Sequence, residues 1–184
     1  MKKDKGLIHV YTGEGKGKTT AAIGLAIRAL GQGKRVLFVQ FFKEDTASSG
    51  EKDVFRALKN AGWGIELLRS NCRHPIFTRE KTDYDKVKDA VSSAFNKAAE
   101  MAGGGGFDML VLDEVMSAME GGWLGMDEVI RFLSNGLRPA HLEVVLTGRH
   151  APPEVAMLAD YVTEMLKIKH PFDLGAPARK GIEY

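Results

Sequence analysis

One run, Thr12-Gly13-Glu14-Gly15-Lys16-Gly17-Lys18-Thr19-Thr20, constrains this chain more than any other. It follows an apolar stretch, Leu7-Ile8-His9-Val10-Tyr11, that reads as a buried strand. It leads into Ala21-Ala22-Ile23-Gly24-Leu25-Ala26-Ile27-Arg28-Ala29-Leu30, which reads as a helix. Strand, glycine-rich loop, Lys-Thr and helix in that order indicate a phosphate-binding loop. The glycines let backbone N–H groups turn inward around an anion, and the helix N-terminus adds positive potential. Lys18 supplies a mobile charge for phosphate oxygens, and the Thr19 hydroxyl is placed to reach Mg²⁺. The general pattern, G-x-x-x-x-G-K-[ST], asks for glycine where Thr12 stands; here Gly13 and Gly17 are separated by only three residues. The bland alternative is a surface turn rich in Gly and Lys.

The same alternation continues along the chain. Arg35–Phe42 reads as a buried strand after the stop Gly31-Gln32-Gly33. Residues 51–61 carry Val54, Phe55, Leu58 and Ala61 at helical spacing, and a short strand follows near Ile65–Leu68. Residues 80–101 read as a long helix with Tyr84, Val87, Val91, Ala94 and Phe95 on one face. Gly103–Gly106 breaks it before the strand Phe107–Leu112. A helix near 126–134, the strand Glu143–Thr147, a helix near 153–160 and a strand near 162–168 complete the pattern. Continuous apolar strands separated by helices predict an α/β fold, a mostly parallel sheet with helices on both faces.

Met109-Leu110-Val111-Leu112 ends in the acids Asp113 and Glu114. Ligands of open α/β sheets gather at the C-terminal ends of strands, where the glycine loop also lies. Either acid can therefore hold Mg²⁺ opposite Thr19, although a pair of acids can also simply cap a turn. Thr147-Gly148-Arg149 ends the next strand, and Arg149 would aim a planar cation at the same crevice. Arg28, on the first helix, either joins that site or faces solvent.

At 184 residues the chain is most simply one domain, residues 1–184. A hydrophobic fraction of 44% and a charged fraction of 27% are ordinary for a globular protein, and a net charge of +2 steers toward neither nucleic acid nor membrane. No apolar run approaches the roughly 20 residues a membrane span needs. The single Cys72 excludes an internal disulfide framework and suits a cytoplasmic setting. Cys72 and His74 lack the further partners of a zinc site. The methionines from Met101 to Met165 read as core filler, and Trp63 and Trp123 as packed edges.

In its order of elements the chain resembles the P-loop family of ATP:corrinoid adenosyltransferases. The residues that carry the resemblance are Val10–Ala22, Arg28-Ala29, Gly33-Lys34, Val39-Gln40-Phe41 with Lys43, Gly50-Glu51, Val111–Glu114, Thr147-Gly148-Arg149, Lys169–Asp173 with Gly175, and Gly181–Tyr184. The short glycine spacing, irregular against the general pattern, is what this family shows. The resemblance implies a RecA-like sheet in which the strand ending at Arg149 lies between the two phosphate-site strands. It implies transfer of the 5′-deoxyadenosyl group of ATP to the cobalt(I) of a corrinoid, with triphosphate released. By the same resemblance Lys18, Glu114 and Arg149 act in catalysis, Glu114 takes Mg²⁺ with Thr19, and Arg28 and Arg149 contact the nucleotide. A homodimer and a flavoprotein-type electron donor are implied as partners.

Bacterial housekeeping members of that family carry an N-terminal helical extension and a Phe-Thr-Trp cluster. Here Met1–Gly6 precede the first strand, and the corresponding later segment reads Cys72–Glu80, with Phe77 as its aromatic residue. The corrinoid pocket is expected from Phe77 in this segment together with His170 and Phe172 of the tail, because a flat macrocycle needs an apolar wall. The competing expectation is a RecA-like ATPase driving a partner or a nucleic-acid process, which would share the loop and the Asp113-Glu114 pair. A nucleotide sensor that binds ATP without chemistry is the third.

Overall fold

The computed structural model describes residues 5–75, 83–134 and 136–183. The elements run β1 (Ile8–Thr12), α1 (Lys18–Gly31), β2 (Val36–Gln40), α2 (Gly50–Asn60), β3 (Ile65–Arg69) and α3 (Tyr84–Gly103). Then come β4 (Met109–Asp113), α4 (Val115–Glu120), α5 (Met126–Ser134), β5 (Glu143–Thr147), α6 (Pro153–Leu158) and β6 (Tyr161–Glu164). The strands form one six-stranded sheet in the order β3-β2-β4-β5-β1-β6. Every pairing in it is parallel, so each connection must cross a face of the sheet, and helices make those crossings. This is the RecA-like α/β arrangement, with β5 between β1 and β4 as the resemblance implies.

The central strands β2 and β4 are buried along their whole length, because both faces are covered. On one face α1 lays the small residues Ala22, Ala26 and Ala29 against Phe38, Met109 and Val111, with Phe55 of α2 beside them. On the other face Val91, Phe95 and Ala98 of α3 and Phe132 of α5 cover Leu110, Leu112, Val144 and Leu146. The sheet thereby holds the ends of β1, β5 and β4 side by side. Among the described residues no helix is long and apolar enough to cross a membrane.

Several boundaries differ from the sequence reading. The helix α4 starts directly after Glu114; its six residues are too short to show a helical period. Within α2 only Phe55 is buried, and Val54 is 50% exposed. Tyr84, expected on the buried face of α3, is half exposed and donates to the Gly122 carbonyl. The expected start of α3 at residue 80 lies outside the described residues. The last strand stops at Glu164, short of 168, because its neighbour β1 ends at Thr12, the partner of Glu164. Met157 is exposed, not core filler, and Trp63 is only half covered. Trp123 is buried against Phe42 and His74, a packed edge as expected.

A buried cation fixes the segment after β2. Arg69, at the end of β3, donates to Gln40 Oε1, to the Glu44 and Ala47 carbonyls and to Ser49 Oγ. Gln40 in turn donates to Glu51 at the start of α2. Loss of such a satisfied buried charge strips several acceptors at once. Arg69→Ala is therefore expected to lower stability by about 3 kcal/mol, read from denaturant melts. A loss below about 1 kcal/mol would mean that water replaces the guanidinium without penalty.

Candidate functional site

The loop after β1 is shaped by its glycines and by one lysine. Gly13 has φ 100°, a conformation that disfavours any Cβ, and a Cβ there would stand 2.5 Å from the Met165 carbonyl oxygen. Gly17, at φ 122°, precedes the first turn of α1. The Gly15 N–H donates to the same Met165 carbonyl at 2.6 Å, so the chain leaving β6 braces the loop. Lys18 is 7% exposed, and its Nζ donates to the Gly13 carbonyl at 2.6 Å and the Gly15 carbonyl at 2.9 Å. The loop thus curls around its own ammonium group. Burial pushes the Lys18 pKa down, against the upward pull of Glu114.

Thr12 has a use where the general pattern has glycine. Its side chain is buried, and Oγ1 accepts from the Ala151 N–H at 3.1 Å, fastening the loop after β5 to the end of β1. Thr20 and Lys16 face solvent, and Lys16 Nζ donates to the Ile182 carbonyl of the tail at 3.3 Å.

Asp113 is the hub of the site. Its Oδ1 accepts from Thr19 Oγ1 at 2.8 Å and from Thr147 Oγ1 at 2.7 Å. Burial is the main reason its pKa is pushed up to about 6; the charge of Glu114 adds to this, while the two threonine donors oppose it. Glu114 follows at φ 65°, an uncommon conformation for a residue with a side chain, where strain is expected near a working site. Its N–H donates to Thr147 Oγ1 at 2.9 Å, and its carboxylate accepts from Ser117 at 2.6 Å. The hydroxyl of Thr19 therefore meets Asp113, whereas the resemblance paired it with Glu114. Two hard carboxylates and a hydroxyl at one crevice are a donor set that suits Mg²⁺.

Arg149 reaches the loop from β5. Its Nη1 lies 2.9 Å from Glu14 Oε2. His150, beside it at φ 50°, places Nε2 3.1 Å from Glu14 Oε1 and Nδ1 2.8 Å from Glu120. Thr147, His150 and Ser117 are not among the site residues expected from the sequence. For His150 the available signal was adjacency to Arg149; for Thr147 it was a hydroxyl at a strand tip facing an acid.

Other expected residues are not brought to this point. Arg28 is exposed, about 15 Å along α1 from Lys18, and its charge acts on Tyr11. His170 accepts from the Phe172 N–H and opens a short 3₁₀ turn, while Phe172 is 75% exposed. Phe77 lies outside the described residues. The two halves of the expected corrinoid pocket follow β3 and β6, the opposite edges of the sheet. On the β3 side His74 packs on Phe42 and Trp123, with ring centroids 4.6 and 5.5 Å apart. Burial lowers the His74 pKa against the charges of Glu114 and Glu120, which places this segment within electrostatic reach of the site.

Residues 4–184 match the family model described as ATP:corrinoid adenosyltransferase BtuR/CobO/CobP. The chain is 37% identical over 182 residues to the corrinoid adenosyltransferase CobA of Salmonella typhimurium, covering 99% of this chain and 87% of that protein. It is 36% identical over 181 residues to the corrinoid adenosyltransferase of Pseudomonas aeruginosa, covering 98% and 85%. Among solved structures, the flagellar accessory protein FlaH from Methanocaldococcus jannaschii is similar with a TM-score of 0.56 at 12% identity, covering 89% of this chain and 77% of that one. At that identity the likeness concerns the fold alone.

The raised pKa of Asp113 fixes the sign of a pH effect. The folded state holds this proton up to about pH 6, whereas the unfolded chain gives it up near pH 4. Between those values the native state binds more protons, so this group makes stability fall as pH rises, by roughly 2–3 kcal/mol in all, and the effect is complete above the folded pKa. In Asp113→Asn that component of the pH profile is expected to vanish. Denaturant melts from pH 4 to 7, without added divalent cation, measure it; identical slopes in both proteins would mean that Asp113 is not desolvated.

Proposed function

The chain belongs to the ATP:corrinoid adenosyltransferase family, and we propose that residues 1–184 form one domain in which the end of the sheet aligns ATP for adenosyl transfer. The observation that carries this reading is the loop wrapped around Lys18 beside the Thr19–Asp113 contact. The reaction transfers the 5′-deoxyadenosyl group of ATP to the cobalt(I) of a corrinoid. An electron pair on cobalt forms the bond to C5′, the C5′–O bond breaks, and its pair leaves with inorganic triphosphate.

The loop therefore holds a leaving group rather than a transferring phosphoryl. The backbone N–H groups of the loop and of the first turn of α1, apart from that of Gly15, which Met165 holds, would neutralise charge on the departing triphosphate together with the Lys18 ammonium. Lys18 must leave the Gly13 and Gly15 carbonyls for phosphate oxygens, and its partial desolvation makes that exchange favourable. Arg149 would add a planar cation from the β5 side. Thr19 and Asp113, with Glu114 next to them, would hold Mg²⁺, which supplies further neutralisation of the phosphates when bound. Arg28 stands too far along α1 to share the phosphates with Lys18, and a nucleotide contact from it would have to be to another part of the molecule.

The corrinoid would lie over the β3 side of the mouth, against Phe77 and the aromatic group of Phe42, His74 and Trp123. His170 and Phe172, beyond β6, would reach it only across the glycine loop. An unchanged corrinoid KM in Phe77→Ala would remove that aromatic from the pocket. A flavoprotein-type donor would deliver the electron in the cytoplasm, a setting consistent with the single unpaired cysteine. The open edge of β6, with Tyr161 and Val162 each 52% exposed, supports a homodimer formed there. A monomer at micromolar concentration in sedimentation would contradict it.

Product analysis tests the reaction. With ATP, Mg²⁺ and chemically reduced cobalamin, the expected products are light-sensitive adenosylcobalamin and triphosphate in equal amounts; ADP and phosphate would instead mean an ATPase. Lys18→Ala is expected to reduce turnover by roughly 10²–10³, equivalent to about 3–4 kcal/mol of barrier, while keeping the fold by circular dichroism. Retention of more than half the activity at saturating ATP would remove Lys18 from the site.

A further inference from the structure

A carboxylate is an unexpected group in a loop built to hold anions. Glu14 stands between the glycines of that loop and uses both its oxygens, Oε2 on Arg149 at 2.9 Å and Oε1 on His150 at 3.1 Å. Its charge also acts on Lys18. The contacts are held by local backbone, since His150 sits at φ 50° and Gly148, before Arg149, at φ 143°. A Cβ on Gly148 would stand 2.5 Å from that of Met116, so this turn has little freedom to relocate Arg149 and His150. Glu120 fixes the far side of His150 at 2.8 Å. Glu14 thus occupies, as an internal anion, the Arg149 guanidinium and the His150 ring nitrogen that a phosphate chain would take.

We infer that Glu14 is an internal competitor for Arg149 and His150 that sets how firmly the site retains inorganic triphosphate relative to ATP. The inference rests on the assignment of this loop to the phosphates of ATP. The chemistry that distinguishes the two ligands is charge. In ATP the α-phosphate is esterified to the ribose; after transfer that oxygen is free, and the product carries an additional ionisable group. The more highly charged triphosphate gains more from Arg149 and His150 and is repelled more by Glu14. An internal carboxylate therefore loosens the product more than the substrate. It also offers Arg149 and His150 a partner as the product departs, so their donors need not be left unpaired. Because the Glu14 pairs are partly exposed, the effect is modest in size and screened by salt.

The test is equilibrium binding of inorganic triphosphate and of ATP, each with Mg²⁺ and without corrinoid, to the full chain and its variants. In Glu14→Gln the affinity for triphosphate is expected to rise about fivefold and that for ATP by less. Inhibition of adenosyl transfer by added triphosphate should strengthen in parallel. In Arg149→Ala the Glu14→Gln substitution should produce a smaller gain, because one contested cation is gone. An unchanged or weaker affinity for triphosphate in Glu14→Gln overturns the inference, as does an equal gain for both ligands or a gain of full size without Arg149. If the unsubstituted protein binds neither ATP nor triphosphate, the phosphate-site assignment itself fails and the inference falls with it. Binding by wild type with no response in Glu14→Gln removes the inference alone.

Discussion

Much of this molecule depends on one buried carboxylate. Asp113 Oδ1 accepts hydrogen bonds from Thr19 on α1 and from Thr147 on β5. Three separate elements are thereby joined at a point where none has a covalent connection to the next. The contact exists only because β5 inserts between β1 and β4. That insertion in turn requires long right-handed crossovers, and these supply the helices that bury the sheet. A buried acid without those two donors would be driven toward its neutral form; with them it remains available for ionisation near pH 6, which a nearby cation would favour further. Fold and site are therefore coupled: the same strand order that completes the core creates the environment of the acid.

The electrostatics of the mouth follow from where charges can be hydrated. Lys18 is enclosed by the loop and answers to Glu114, Glu14 and Asp113, while Arg149 opposes it. Glu14, Arg149 and His150 lie farther out, where water screens them. Interactions near Asp113 are accordingly strong and specific, and those at the rim are weak and exchangeable. This division suits a reaction in which charge must be neutralised at the departing oxygen yet the product must still leave.

The legible parts of the chain were those with a local physical signature. The glycine loop, the apolar runs of β2, β4 and β5 and the acids after β4 each carry their cause in adjacent residues. The α4 helix was missed because six residues cannot display a helical period, and the turn into it is made by Glu114 at positive φ, where glycine would have been the visible signal. The order that puts β3 and β6 at opposite edges of the sheet was not legible, because strand order has no local signature in adjacent residues. The Thr12 irregularity was legible as a family trait but not as physics until the Ala151 N–H appeared against its hydroxyl.

On the proposed reading, the distinction between a leaving group and a transferring group bears on why this loop can differ from the usual one. Hydrolysis of a terminal phosphate requires a water held in line with it and a nearby group to orient that water. Attack at C5′ requires the opposite end of the phosphate chain to face the second substrate, and the loop needs only to bind and neutralise. Such a task tolerates Thr12, whose buried hydroxyl is used by the Ala151 N–H. The loop's departure from the general pattern at Thr12 is thus compatible with binding, and the chain's family matches over residues 4–184.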